Sequence, residues 1–593
     1  MSKETDSIDF DEIYRKTGSY GRYQMKIMLQ IFLNNIPVGF NIMVLIFQIH
    51  DIPFTCRSLP NDSIMEIGPN STIQYESCFV KISNGTNGTD NQIIPCPNGY
   101  EYEHEKHYSV RSQWDLVCAD EPLADLFITI YSAGKLAGCF ILPNSADRYG
   151  RKPIIILANF GMCVLNIIII FSPSYTFFII VKGLTGFFQP GVSIPGSVLL
   201  LELFPAECRT HTQVFHGITW GVALMLLCPV SYFTEPYGWH CLNALVALSS
   251  CGFLFHVWTL HESLRWQVQS GKVKEANATV KHMCKVNKID YSEVESLMTN
   301  LNGKKPAEDI ELTPLDEISS TDSSDETYDD EHSDEIHSFK SSEPVPSETK
   351  NGMLQKKHEH PNHSKYPRII IVLITPCLRK ILSIMFCLFF VSSLTYYGLY
   401  LMTTRLSGNR FLNFFITALF ETLSQIFAFT VFRRFPRKSC CMGCLSFTAI
   451  VLIIAVLLRT FSDSDIALMA STGFSFLGTF GISAAFLLVG IYVAELFPTD
   501  VRNVGFALAS IASRLGQIIA PFVRFLSRLV PWAPGITFGV ICLLMNILIR
   551  FLPETLNKQL PQTVEDAKIR EREEMEKRIA KKQIKKQNHL FFF

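Results

Sequence analysis

The chain predicts an all-α membrane protein of twelve transmembrane helices, built as two six-helix halves in a parallel repeat. Three observations predict it. The first is composition: 593 residues, 48% hydrophobic and 18% charged, with 46 Phe, which suits a chain solvated by lipid. The second is a series of twelve apolar runs near the roughly 20 residues that cross a hydrocarbon core of about 30 Å. They lie at 26–48, 123–142, 154–172, 177–201, 214–233, 241–260, 381–403, 411–432, 441–458, 466–494, 504–530 and 534–552. The third is internal repetition. Asp147-Arg148-Tyr149-Gly150-Arg151-Lys152 has a degenerate copy in Arg433-Arg434-Phe435-Pro436-Arg437-Lys438. Glu202-Leu203-Phe204-Pro205 recurs as Glu495-Leu496-Phe497-Pro498, and Leu260-His261-Glu262-Ser263-Leu264 as Leu552-Pro553-Glu554-Thr555-Leu556. Three pairs in one order, at nearly one spacing, indicate the duplicated halves of many secondary transporters.

Residues 1–25 form a polar lead, charged up to Lys26, with no evident cleavable signal peptide, so the first apolar run is expected to stay as a span. The first half covers 26–260. Asn34 and Asn35 fall inside its first span and serve either helix–helix hydrogen bonding or cavity lining. The loop 49–122 carries four glycosylation sequons, at Asn61, Asn70, Asn84 and Asn87, which marks it as extracellular. It also holds Cys56, Cys78, Cys96 and Cys118. An even count in an exported loop predicts two disulfides, with three pairings open. The remaining cysteines sit mostly in apolar runs, as packing residues.

A linker at 261–380 follows. Its start, 263–300, reads as helical from Val273, Ala276, Val280 and Met283. The insertion 308–348 holds 15 acidic residues against Lys340, is Ser-rich, and reads as a disordered spacer. The second half covers 381–552, and 553–593 form a tail whose mixed charges read as a solvated helix or a contact with anionic lipid. Lys and Arg gather in the loops at 143–153, 205–212 and 433–438, in the linker and in the tail. These share one side if the spans alternate, so that side is expected to be cytoplasmic, with both termini inside.

Several segments carry a family likeness. Cys96-Pro97-Asn98-Gly99-Tyr100-Glu101-Tyr102 and Gln113-Trp114-Asp115-Leu116-Val117-Cys118 resemble the exported loop of the organic ion transporters of solute carrier family twenty-two, in the major facilitator superfamily. The likeness continues through the Asp147–Lys152 signature, Glu262-Ser263-Leu264-Arg265-Trp266, Tyr396-Tyr397-Gly398-Leu399 and Glu495–Asn503, and covers about 12–566 apart from the insertion. The chain departs from the family at Pro143, where members usually carry Gly, and at Arg433 and Pro436 in the second signature. The resemblance implies a carrier of small organic ions at the plasma membrane. It also implies that Asp147, Arg148, Arg151, Glu202, Arg209, Glu495 and Arg502 form interhelix charge clusters that pair when the inner side closes. Arg514, in Ser510-Ile511-Ala512-Ser513-Arg514-Leu515-Gly516, stands where anion and zwitterion carriers of the family usually have Arg and cation carriers tend to have Asp.

The residues themselves exclude other chemistry. No phosphate-cradling Gly-Lys-Ser/Thr loop, zinc-spaced His/Cys cluster or nucleophile motif is visible, so an enzyme, a cofactor and a nucleic-acid partner are not expected. The expected partners are the bilayer, a small organic ion and a co- or counter-transported ion. Ionisable residues inside spans are costly and so mark function. Lys135 and Glu421 each lie twelve residues before a signature, and Arg514 twelve after Arg502, which puts all three about 18 Å from one membrane edge. Two cations and one anion leave a positive chamber suited to organic anions or to zwitterions such as carnitine-like solutes. Trp220, Phe389, Tyr396, Tyr397 and Phe414 fall on spans that resemble the family's cavity-lining helices, and the resemblance implies that they line it; aromatic faces hold flat or ammonium-bearing solutes. An organic cation carrier and a non-transporting receptor or scaffold are the alternatives.

Overall fold

A computed structural model of the chain describes residues 10–59, 71–84, 90–205, 208–302, 368–403, 406–462, 464–498, 501–556, 558, 561, 563–573 and 576. The sequons at Asn61, Asn70 and Asn87, the side chains of Asn84 and Arg209, and the insertion 308–348 lie outside the described residues.

Twelve helices follow the twelve apolar runs. In the first half they are α1 (Arg22–Gln48), α2 (Glu121–Tyr149), α3 (Arg151–Ile170), α4 (Tyr175–Glu202), α5 (Arg209–Thr234) and α6 (Gly238–Ser250, continued by Phe253–Thr259). In the second half they are α7 (Pro376–Met402), α8 (Arg410–Phe432), α9 (Arg437–Phe461), α10 (Asp465–Leu496), α11 (Arg502–Leu529) and α12 (Ala533–Ile549). Among the described residues, ten helical segments are long and apolar enough to cross a bilayer. One of these, His211–Thr259, holds both α5 and α6, and α12 is a shorter apolar helix. The short 3-10 turn Glu235–Tyr237 separates α5 from α6.

The helices repeat their packing. In the first half α2 packs on α4, α3 on α4 and α6, and α1 on α5; in the second α8 packs on α10, α9 on α10 and α12, and α7 on α11. The halves meet along two seams, α2 with α11 and α5 with α8, which exchange under the same six-helix shift. A parallel repeat thus becomes a twofold arrangement. At the middle of the α5–α8 seam a Cβ on Gly221 would stand 2.2 Å from Thr422 Oγ1, so only glycine permits that approach.

The charged signature is not a loop, as its polarity suggests. Asp147, Arg148 and Tyr149 complete α2, which runs on through Pro143, and Arg151 opens α3. Only Gly150 turns the chain, with φ of 106°, a value its missing Cβ makes accessible.

Helical periodicity does not reveal the long loop's structure. Its strands are β1 (Phe54–Cys56), β2 (Ser71–Tyr75), β3 (Phe79–Asn84), β4 (Asp90–Pro95) and β5 (Tyr100–Tyr102). They form an antiparallel β1–β5 pair and an antiparallel β2–β3–β4 sheet. Cys56 bonds Cys96 and Cys78 bonds Cys118, which selects one of the three pairings. At the other end of the bundle, helices Leu264–Gln269, Val273–Asn287 and Ser292–Asn302 bury Ala276, Val280 and Met283. The helix Phe10–Lys16 joins them, and Arg265 pairs with Asp11.

Candidate functional site

Tyr396 and Tyr400 lie one turn apart on α7, which puts both hydroxyls on one face. That face meets α8 at Glu421, whose residue is 3% exposed. The Tyr396 hydroxyl donates to Glu421 Oε1 at 2.7 Å, and the Tyr400 hydroxyl donates to Oε2. Trp220 Nε1, from α5 across the seam, donates to the Tyr396 oxygen at 3.1 Å. The buried carboxylate is therefore satisfied by neutral hydroxyls rather than by a cation. The Tyr396 ring stands 5.0 Å from that of Tyr397 and 5.9 Å from that of Phe486.

Lys135 occupies α2 and is 1% exposed. Its Nζ donates to Gln517 Oε1 on α11 at 2.9 Å, a bond between the halves, and lies 5.9 Å from the Tyr397 ring centroid. Arg514, one turn from Gln517 on α11, is half-buried. It has no hydrogen-bond or ion-pair partner among the described residues, yet lies within electrostatic reach of Lys135, Tyr131 and Tyr397. Tyr397 also feels Glu421. The centre thus brings two cations and one carboxylate around Tyr397 without an ion pair between opposite charges.

The chamber itself corrects an expectation. A wet, roomy space is predicted between the halves; beside these residues the cavity measures about 20 Å³. Ile42, Tyr131, Ser132, Tyr397, Tyr400 and Gln517 are among its walls. That holds a water but not an organic ion, because aromatic side chains fill the centre in this closed arrangement. Phe414, fully buried, packs on Phe47 at 4.9 Å and Tyr400 at 5.6 Å. Phe389 sits further along α7, against Phe486 and Phe506 at 6.4 and 6.0 Å.

Tyr400 and Gln517 escape the sequence reading, although each stands one helical turn from a residue it singles out. So does Lys182 of α4, a fully buried cation inside an apolar run, which donates to Asn243 Oδ1 at 3.0 Å. Asn34 accepts from Asn159 at 3.1 Å, and its oxygen lies 2.8 Å from His256 Nε2. Asn35 donates to Thr219 at 2.7 Å.

The repeated signatures meet in two equivalent clusters. In the first, Arg151 lies 3.2 Å from Asp147 and 3.0 Å from Glu202, while Glu262 accepts from Lys152 N at 2.9 Å. In the second, Arg437 lies 3.4 Å from Glu495, while Glu554 accepts from Arg437 N at 2.7 Å and Lys438 N at 3.1 Å. Each third-signature glutamate therefore caps the helix opened by the first signature. Arg148 is exposed, 5.5 Å over the Tyr149 ring, and Arg502 Nε donates to Phe497 O at 3.3 Å.

Known proteins share this plan. The family model of the Major Facilitator Superfamily matches residues 112–521. Solute carrier family 22 member 6-A of Xenopus laevis is 30% identical over 88% of this chain and 82% of its own length. The organic cation transporter-like protein of Drosophila melanogaster is 27% identical over 94% and 92%. Organic cation/carnitine transporter 2 of Rattus norvegicus is 26% identical over 94% and 93%. The inward-open xylose transporter XylE from E. coli shares the fold at a TM-score of 0.55 and 14% identity, over 91% of this chain and 98% of its own.

Proposed function

The chain belongs to solute carrier family 22 of the major facilitator superfamily, and from that premise we propose that it carries small organic anions or zwitterions by alternating access. Transmembrane transport is the activity of this family of multi-pass proteins. The observation that carries the finer reading is the placement of Arg514. A guanidinium with no partner among the described residues, near enough to Lys135 and Tyr397 to influence both, offers a place for a carboxylate, and Glu421, which also influences Tyr397, offers one for an ammonium group. Opposite charges already paired would offer neither. Aromatic walls from Trp220, Tyr396, Tyr397 and Phe414 suit the apolar body of such a solute.

In this reading the halves rock about the centre, and the chamber enlarges when one end parts. In this reading Asp147, Arg148, Arg151, Glu202, Arg209, Glu495 and Arg502 serve as the cytoplasmic latch. The protein sits in the plasma membrane with both termini inside, and its glycosylated loop, at Asn61, Asn70, Asn84 and Asn87, outside.

Arg514→Ala tests this directly. Uptake of carboxylate solutes is expected to vanish while surface expression persists; unchanged uptake removes Arg514 from the mechanism. A second reading, an organic cation carrier, is favoured by Glu421 within a ring of aromatic residues. Competition by carboxylates against quaternary ammonium compounds separates the two. A scaffold would give no flux in proteoliposomes against any labelled solute.

A further inference from the structure

A second charged contact joins the halves, far from Glu421, at the end of the bundle that bears the long loop. Glu235 follows the last residue of α5, and Arg410 opens α8; carboxylate and guanidinium are in direct contact. Both side chains are mostly covered, at 24% and 22% exposure. Beneath the pair, Phe47 of α1 stacks on Phe411 of α8 with centroids 5.4 Å apart and planes 6° from parallel. Tyr232 meets Phe411 edge-on at 5.4 Å, and Cys228 Sγ donates to Phe411 O at 3.0 Å. On the loop side, Tyr108 lines the same small cavity as Glu235 and Arg410 and meets His50 edge-on at 5.4 Å.

The ownership of these groups matters. Only Arg410 and Phe411 come from the second half. The others belong to the first half or to its loop, which is fastened to that half. Trp239 Nε1 donates to Gln113 Oε1 at 2.7 Å, and Arg111 pairs with Asp51 and Glu121. When the halves part at this end, Arg410 and Phe411 must therefore leave together, while Glu235, Tyr108 and Phe47 stay behind.

We propose that the Glu235–Arg410 pair, over the Phe47–Phe411 stack, is the loop-end gate of this carrier, closed here and broken once in each cycle. The proposal rests on the carrier reading above. Its strength suits the task. A mostly covered ion pair at the rim of the bundle biases the closed state without trapping it. Tyr108, on the wall of the same cavity, brings the disulfide-bonded loop up to the gate.

The test reads access to the centre. Ser132, which lines the small central cavity, is changed to cysteine in the full chain. It is then labelled from the loop side with a membrane-impermeant maleimide, against the parent chain as background. Glu235→Gln and Arg410→Gln should each speed labelling by about fivefold. The charge-exchanged double variant, Glu235→Arg with Arg410→Glu, should return the rate toward that of the parent. Labelling that stays unchanged in both single variants overturns the gate. Glu235→Cys with Arg410→Cys supplies a second arm. Oxidation of the two thiols to a disulfide should slow labelling and stop uptake, and reduction should restore both. Uptake that persists through complete cross-linking overturns it as well. Labelling needs no flux, so a chain that moved no solute would still report on the gate, and the two readings fail separately.

Discussion

The Tyr396 hydroxyl and the Glu421 carboxylate, on neighbouring helices of one half, stand 2.7 Å apart, and the tyrosine's oxygen in turn accepts from Trp220 of the other half at 3.1 Å. The carboxylate is thereby wired to the partner half through one phenol. Glu421→Gln removes the charge and keeps the shape. It should depress uptake of ammonium-bearing zwitterions at least tenfold while sparing simple carboxylates. Tyr396→Phe should raise KM by about tenfold, since a single hydrogen bond to a charged group contributes about 1.5 kcal/mol. Equal losses for both solute classes in Glu421→Gln would remove this residue from solute discrimination.

Lys135 and Gln517 make opposite predictions for stability. The lysine is a buried cation with an amide as its hydrogen-bond partner. Lys135→Met replaces it with an apolar group of similar size and should leave thermal stability equal or higher. Gln517→Leu strands the cation and should cost about 2 kcal/mol or more. Thermal unfolding of the purified proteins measures both, and a destabilised Lys135→Met would contradict the account.

Glu262 and Glu554 should behave as equivalent caps. Each carboxylate accepts from the first backbone amides of the helix opened by its half's signature. Loss of such a cap costs about 1 kcal/mol, with a further contribution from the helix dipole. Glu262→Ala and Glu554→Ala should therefore lower thermal stability by similar amounts, and the double variant by roughly their sum, since the clusters lie in separate halves.

Gly221 has no room for a side chain. A Cβ there would lie 2.2 Å from Thr422 Oγ1 and 3.2 Å from its Cβ. Gly221→Leu should spread the α5–α8 seam and abolish transport. Gly221→Ala paired with Thr422→Ala should recover part of it, as judged by uptake per molecule at the cell surface.

His50 predicts a pH dependence of stability. It lies just beyond α1, and burial first, then the Arg410 cation, lowers its pKa from 6.5 to about 4. Between those values the unfolded chain binds a proton that the folded chain refuses. Stability contributed by neutral His50 is thus full above pH 6.5 and is lost as pH falls toward 4, by about 3 kcal/mol in total. His50→Gln should flatten that part of the curve of thermal stability against pH, and an unaltered slope would show that other groups govern it.

Much of this was legible without coordinates. Apolar runs of spanning length fix where helices cross, because lipid offers the backbone no hydrogen bonds and helix is the local solution. Three ordered repeats carry the duplication, and ionisable residues at matching depth single out Lys135, Glu421 and Arg514. These signals are local or periodic, so one sequence suffices to read them. The tertiary structure decided what touches what. It tied Glu421 to two tyrosines, joined Lys135 to Gln517, and left Arg514 unpaired among the described residues. It chose Cys56–Cys96 and Cys78–Cys118 from three pairings, and set Glu235 against Arg410 across the seam. Such pairs join residues far apart in the chain, and no spacing encodes them. They depend on packing over a whole lobe, loop or seam rather than on any one stretch of residues.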